Sequence, residues 1–339
     1  MALKKNQMIN RFNGRIYFLD NFSKLKDINN FLFQYKFKPY YYYRDIKERG
    51  LTRFFLNKLK SQKNIRFLIA FEDNNQPIAL IGFSYLPWDS KIFKLKMGRI
   101  LFVVTSKNVT VETLSTLIDS IIKLLKKEEF DFVDISANTM EVKLTACLGN
   151  ADFKLMGTST IYTIDVTNTT FPLTITKGII FKEIEEVHVP CMLNLAEKAF
   201  IEYDANLNRF YADDRLTPQK VGNLYREWFS NCLTGEQADK IFVAEYNTRA
   251  VGFIACKIQK LSPINKTIGS VPLNALEKEF RHRGIYKSLV TMALNWFSKN
   301  NCNNAEIKTQ ITTLAPQYVW QKFGGRLVSS EYNFHNWLK

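Results

Sequence analysis

The chain has no stretch of 18 consecutive apolar residues, which excludes a simple membrane-spanning helix. Cysteine is scarce: five occur in 339 residues. Cys147, Cys191, Cys232, Cys256 and Cys302 are scattered, odd in number and without metal-ligand spacing, so neither a disulfide framework nor a structural metal site is expected. A reducing cytoplasm fits that usage. The opening residues Met1-Ala2-Leu3-Lys4-Lys5 lack the apolar core of a signal peptide. Acidic residues are outnumbered 32 to 47, leaving a formal net charge of +15. No Lys/Arg run exceeds two residues, so the charge is spread and no nucleic-acid arm is expected. It suits a small polyanionic ligand; a solvated basic surface or an acidic-lipid surface are the alternatives. Hydrophobic residues make up 46% and aromatics 14%, enough for a sizeable core. The length suits two ordinary domains.

The most informative stretch is Arg281-His282-Arg283-Gly284-Ile285-Tyr286. It lies between an expected strand, Ser270–Leu276, and an expected helix from Gly284 to Asn300 with Leu289, Met292, Ala293, Trp296 and Phe297 on one face. The first N–H groups of a helix have no partner inside it, and its dipole favours an anion there. Gly284 permits close backbone approach, and Arg281 and Arg283 add fork-shaped donors. An ordinary strand-to-helix turn is the plainer reading; a pyrophosphate cradle is the sharper one.

The chain also reads as a duplicated unit. At an offset of 172 residues, Leu117 meets Leu289, Leu114–Lys127 meets Tyr286–Lys299, and Phe132-Val133-Asp134-Ile135 meets Asn304-Ala305-Glu306-Ile307. Two hairpins correspond as well: Phe67–Glu72 with Gly82-Phe83, and Ile241–Tyr246 with Gly252-Phe253. The polar segment from Thr167 to Pro172 marks the expected boundary, giving domains 1–170 and 171–339. Opposite the basic loop, Val109–Leu114 has neither glycine nor arginine, so the first half is expected to be a scaffold or acceptor side.

R-x-x-G-x-(G/A) between strand and helix resembles the acyl-CoA pyrophosphate loop of the GCN5-related N-acetyltransferase (GNAT) superfamily. Here Tyr286 stands where that family usually has Gly or Ala. The resemblance implies a tandem α/β (α+β) fold: two GNAT-like domains, each a mixed, mostly antiparallel sheet flanked by helices. Further segments resemble the TDP-fucosamine-type sugar N-acetyltransferases, which pair a degenerate first unit with a working second one. These are Trp88-Asp89-Ser90-Lys91-Ile92-Phe93, with Lys94 in place of that branch's glycine; Asn208-Arg209-Phe210-Tyr211 with Tyr225 and Trp228; Leu273-Asn274-Ala275-Leu276; Thr309-Gln310, Thr313, Trp320 and Gly324; and Asn333–Trp337.

The resemblance implies direct acetyl transfer from acetyl-CoA to an amine, without a metal. It assigns the cofactor to Leu276, Arg281, His282, Arg283, Gly284, Ile285, Tyr286 and Thr313, and the acceptor to Trp88, Asp89, Arg209 and Phe210, at the meeting of the two halves. Backbone around Asn274 is expected to stabilise the oxyanion. The family's thiolate acid is a Tyr, but Trp320 falls at its position. Tyr318 is the expected acid, with His335 the alternative and Tyr286 a third. Lys36–Arg44, with four successive tyrosines, is either a base-stacking surface or a plain aromatic strand or subunit contact.

The expected function is N-acetylation of an amino sugar carried on a nucleoside diphosphate, in a protein without nucleic-acid partners and free to oligomerise. An aminoacyl-tRNA-dependent FemABX-like ligase and a non-catalytic acyl-CoA-binding module are the alternatives.

Overall fold

The computed structural model describes residues 14–20, 22, 28–62, 64–203 and 209–339. Met1–Lys5 and Asn208 lie outside them. In chain order the first elements are β1 (Arg15–Leu19), α1 (Asn29–Gln34), α2 (Glu48–Ser61), β2 (Arg66–Phe71), β3 (Pro77–Tyr85), α3 (Pro87–Phe93), β4 (Met97–Thr105), α4 (Val111–Lys127), β5 (Phe132–Asn138), α5 (Val142–Asn150) and β6 (Lys154–Asp165). They are followed by β7 (Ile179–Glu183), α6 (Val189–Lys198), α7 (Pro218–Leu233), β8 (Lys240–Tyr246), β9 (Arg249–Leu261), β10 (Lys266–Ser270), β11 (Asn274–Leu276), α8 (Ile285–Lys299), β12 (Asn304–Gln310), α9 (Leu314–Lys322) and β13 (Arg326–Trp337). Among the described residues, no helix is long and apolar enough to cross a membrane.

The 172-residue offset holds element by element. β12, α9 and β13 begin and end 172 residues after β5, α5 and β6. The compact units nevertheless differ from a cut near residue 170. Unit 1 comprises residues 1–156 with 331–339, and unit 2 comprises 157–330. The reason is strand pairing: Glu331–Trp337 pairs antiparallel with Phe132–Asn138 in unit 1, and Ser159–Asp165 pairs antiparallel with Asn304–Gln310 in unit 2. Each repeat's last strand therefore completes the other repeat's unit.

Unit 1 orders its strands β1-β2-β3-β4-β5, antiparallel except for β4 with β5, and closes on the end of β13. α4 is capped by the Thr110 hydroxyl, which accepts from the Thr113 N–H at 3.1 Å. Leu114, Leu117, Ile118, Ile121 and Leu125 recur at helical spacing on α4 and are buried in the core with Val133, Ile135 and Phe334. Lys36–Arg44 forms turns rather than a strand. Lys38 there is wholly buried; its ammonium donates to the Leu32, Phe33 and Tyr35 carbonyls and pairs with Glu48. The four tyrosine rings pack on one another, on Phe37 and on Phe54.

Unit 2 runs from the end of β6 through β12, β10, β9, β8 and β7, with only β10 and β12 parallel. The β8–β9 hairpin turns through Asn247 and Thr248, both at positive φ. On α8, Leu289, Ala293 and Phe297 are fully buried, while Met292 and Trp296 lie at the margin of the core. Burial of a side chain such as Leu289 or Phe297 contributes about 1.5–3 kcal/mol.

Candidate functional site

In unit 2 the expected strand Ser270–Leu276 divides in two. β10 pairs with β9 through Lys266–Ser270, and β11 pairs with β9 again through Asn274–Leu276. β12 accompanies β10 only as far as Ser270 opposite Glu306. Beyond that point β11 follows β9 while β12 follows the end of β6, so the sheet opens between β11 and β12. The Leu273 carbonyl accepts from Ala255 N–H and the Glu277 N–H donates to Val251, so odd-numbered peptides here face β9. Antiparallel alternation turns the groups of Asn274 and Leu276 toward the opening. Gly252 lets β11 approach closely: a Cβ there would lie 2.7 Å from the Leu276 side chain and 3.1 Å from the Ala275 carbonyl.

The basic loop follows directly. His282 has φ +62 and Gly284 φ +79. Gly284 occupies the N-cap of α8, makes no side-chain cap, and has nothing within 4 Å of where a Cβ would stand. The helix thus presents its first N–H groups behind a bare backbone. His282, Arg283 and Gly284 are exposed. Arg281 Nε donates to the Leu276 carbonyl at 3.5 Å, and the Arg283 guanidinium lies 5.1 Å from the Phe280 ring centroid. The loop is ordered from beneath by Ser288, whose hydroxyl donates to the Thr174 carbonyl at 2.8 Å, and by buried Ile285.

Tyr286 turns inward. Its hydroxyl accepts from Trp320 Nε1 at 3.0 Å, and Trp320 is fully buried. The two departures from the family pattern, Tyr286 and Trp320, are therefore hydrogen-bonded to each other. Burial raises the Tyr286 phenol well above the ordinary tyrosine value, against the lowering effect of the indole bond. The phenol accepts, and its own proton meets no acceptor among the described residues. Tyr318 lies elsewhere: it is 61% exposed, with Lys322 Nζ 4.3 Å from its ring centroid. Thr313 is the N-cap of α9, whose neighbour Gln317 donates to the carbonyls of Gln310, Ile311 and Thr313.

Arg209 and Phe210 are also in unit 2, with the Arg209 guanidinium 4.7 Å from the Phe210 ring centroid. Close by in charge effect is Tyr225, pushed up to about 12 by burial and held down by Arg209. Phe200, Tyr225 and Trp228 stack in parallel, at 3.8 and 5.9 Å between centroids. Sequence spacing paired Tyr225 with Trp228, but Phe200 joins them only through the packing of α6 against α7.

His335 is not near any of these residues. It is fully buried in unit 1, in register with Asp134 and 4.8 Å from the Phe132 ring centroid. The strand exchange moves it there, although it belongs to the second repeat by sequence. Trp88 and Asp89 are in unit 1 as well, on α3. Asp89 is buried and acts electrostatically on Arg99, which makes a two-pronged pair with Asp134 at 2.7 and 2.6 Å. The Trp88 indole N–H is buried and meets no acceptor among the described residues.

Unit 1 opens at the equivalent end. β4 and β5 pair from Met97/Phe132 to Ile100/Ile135 and no further. Beyond the parting lies Glu141, 172 residues before Thr313, at the N-cap of α5. Tyr35 donates to its carboxylate at 3.2 Å, and Asn138 donates to the Tyr41 hydroxyl at 2.8 Å. Burial, with some help from Glu331, raises Glu141 from about 4.5 to about 7, against the bonds from Tyr35 and the Asn138 backbone. The folded chain thus keeps a proton between about pH 4.5 and 7 that the unfolded chain has lost, so this group's contribution to stability falls as pH rises through that window. Glu141→Gln keeps an acceptor for Tyr35 and removes the charge. Chemical denaturation should find the variant on the order of 1–3 kcal/mol more stable at pH 8 and unchanged at pH 4. Equal stability at both pH values would show that the carboxylate is solvated.

The comparisons agree with this geometry. The acetyltransferase (GNAT) family profile matches residues 202–324. An uncharacterized N-acetyltransferase of Methanocaldococcus jannaschii is 29% identical over 84 residues, which cover 24% of this chain and 37% of that protein. A GCN5-related N-acetyltransferase from Sphaerobacter thermophilus superposes with a TM-score of 0.58 at 10% identity, covering 85% of this chain and 86% of its own. A tandem GNAT protein of the clavulanic acid biosynthesis pathway gives 0.56 at 7% identity, over 96% and 99% of the two chains. A fungal glucosamine N-acetyltransferase region within a multi-domain β-N-acetylglucosaminidase gives 0.62 at 11% identity, over 95% of this chain and 38% of the other. The chain thus has the tandem GNAT fold, and its residues 202–324 form an acetyltransferase domain of the GNAT family.

Proposed function

We propose that unit 2 transfers an acetyl group from acetyl-CoA to the amine of an amino sugar linked to a nucleoside diphosphate. The observation that carries this is the opened strand pair leading into the bare, basic N-terminus of α8. Arg281, Arg283 and the first N–H groups of α8 hold the pyrophosphate. The peptide groups of Asn274 and Leu276, aimed into the opening, bind the extended arm and donate to the carbonyl oxygen as it gains charge. Tyr286 supplies the proton to the departing sulfur. Its indole partner steadies the phenolate left behind, a role the exposed Tyr318 lacks.

The amino-sugar acceptor draws on Arg209 beside Phe210, and on the Phe200–Tyr225–Trp228 stack as a face for a sugar or base. The motif likeness to sugar N-acetyltransferases points the same way, as does the glucosamine acceptor of the fungal structural relative. The test is mass-spectrometric detection of acetylated product with acetyl-CoA and UDP- or dTDP-linked amino sugars. Thermal stabilisation by acetyl-CoA, by each nucleotide sugar and by tRNA is measured alone in parallel. Stabilisation by acetyl-CoA with turnover of an amino sugar is expected. Stabilisation by tRNA alone would favour the ligase reading, and acetyl-CoA binding without turnover of any amine would favour a binding module.

A further inference from the structure

We propose that the opened end of unit 1 binds the ammonium group of a small primary amine, held by Glu141, Glu331, Tyr35, Tyr41 and Asn138. Four separate segments bring these groups together: the end of α1, the tyrosine-rich turn, the β5–α5 junction and β13. Tyr35 bonds Glu141, Asn138 bonds Tyr41, and Glu331 is the register partner of Asn138. Tyr35 also feels Glu141, Tyr41 and Glu331 electrostatically, so all the ionisable members share one locality.

Three independent features point to a cationic ligand. The groups that act on the Glu141 carboxylate are Tyr35, Glu331 and the Asn138 backbone, and none is basic, in a chain with 47 Lys and Arg residues. A part-buried carboxylate without a countercharge lowers the stability of the fold, a cost that functional sites carry and structural ones shed. The β4–β5 ladder ends just below it, so peptide edges and space are available there. The duplication adds a positional argument. Glu141 occupies in unit 1 the place of Thr313, the first residue past the opened strand of unit 2.

The ligand chemistry follows from the donor set. An ammonium is a compact charge with three donors, matched by two carboxylates and two phenol oxygens, and aromatic faces attract it further. A hard divalent cation asks for six or more oxygens, and no group of three metal-ligating side chains occurs among the described residues. This site is separate from acetyl transfer in unit 2, and its test contains no acetyl-CoA.

The experiment follows the Glu141 carboxyl carbon by NMR across pH, in the full chain, with n-butylammonium chloride, n-butanol, sodium chloride or magnesium chloride. With butylammonium the Glu141 midpoint should fall by about 1–3 pH units, as a nearby opposite charge produces. Butanol and sodium chloride should leave it in place. Glu141→Gln should weaken butylammonium binding about tenfold, and Tyr35→Phe and Glu331→Gln by smaller factors, with acetyl-CoA affinity retained in all three. If Glu141→Gln fails to fold, Glu331→Gln carries the comparison. A midpoint unmoved by butylammonium, or moved equally by sodium chloride, overturns the proposal. A larger movement with magnesium than with butylammonium also overturns it, in favour of a metal site.

Discussion

Tyr286→Phe should lower kcat by about 10²–10⁴ while acetyl-CoA affinity stays within a few-fold, the pattern expected when a positioned acid is lost. The variant keeps the ring, so it keeps the packing against the unit 2 core. It loses only the hydroxyl that accepts from Trp320 Nε1. Because burial raises this phenol, the wild-type rate should not fall with alkali until well above the ordinary tyrosine range, about pH 10. Tyr318→Phe, at an exposed position, should leave kcat nearly unchanged. If Tyr318→Phe shows the large loss and Tyr286→Phe does not, the acid is Tyr318 and the buried pair is structural. The variant also leaves the Trp320 N–H buried without its partner, which costs about 1–3 kcal/mol. Thermal denaturation separates that stability loss from the kinetic effect.

The second large effect is on binding. Arg281→Ala combined with Arg283→Ala should weaken acetyl-CoA by roughly 2–4 kcal/mol, as the loss of two charge-assisted contacts would. Neither arginine is in the hydrophobic core, so folding should survive. The loss should shrink with added salt, since the loop is exposed and its charges are screened over about 8–10 Å. Unchanged affinity by calorimetry would remove the pyrophosphate from this loop.

Much of unit 2's site was legible from short-range pattern. A strand, a basic turn with Gly284 and an amphipathic helix are each written in neighbouring residues, and α8 begins one residue past Gly284. The break of the expected strand at 271–273 was not legible, because Val271 and Leu273 are apolar and alternate normally with their surroundings. The parting of β11 from β12 depends on which strands they join at a distance. The acid was misplaced for a similar reason. Sequence spacing marks Trp320 as a poor acid and its neighbour Tyr318 as the nearest phenol. The phenol bonded to Trp320 comes from 34 positions earlier, across two helices.

By itself the sequence determined the duplication, the hairpins, the buried face of α8 and the anion-binding turn. These follow from periodicity, turn chemistry and φ preferences that act within a few residues. The tertiary structure alone decided that the repeats exchange their last strands, which carries His335 into unit 1 beside Asp134. It alone brought Tyr35 to Glu141, 106 positions apart. Equivalent strands of a duplicated chain present nearly the same pattern, so local preference cannot choose between the two sheets. The choice rests on long-range pairing and core packing, which no local stretch of residues encodes.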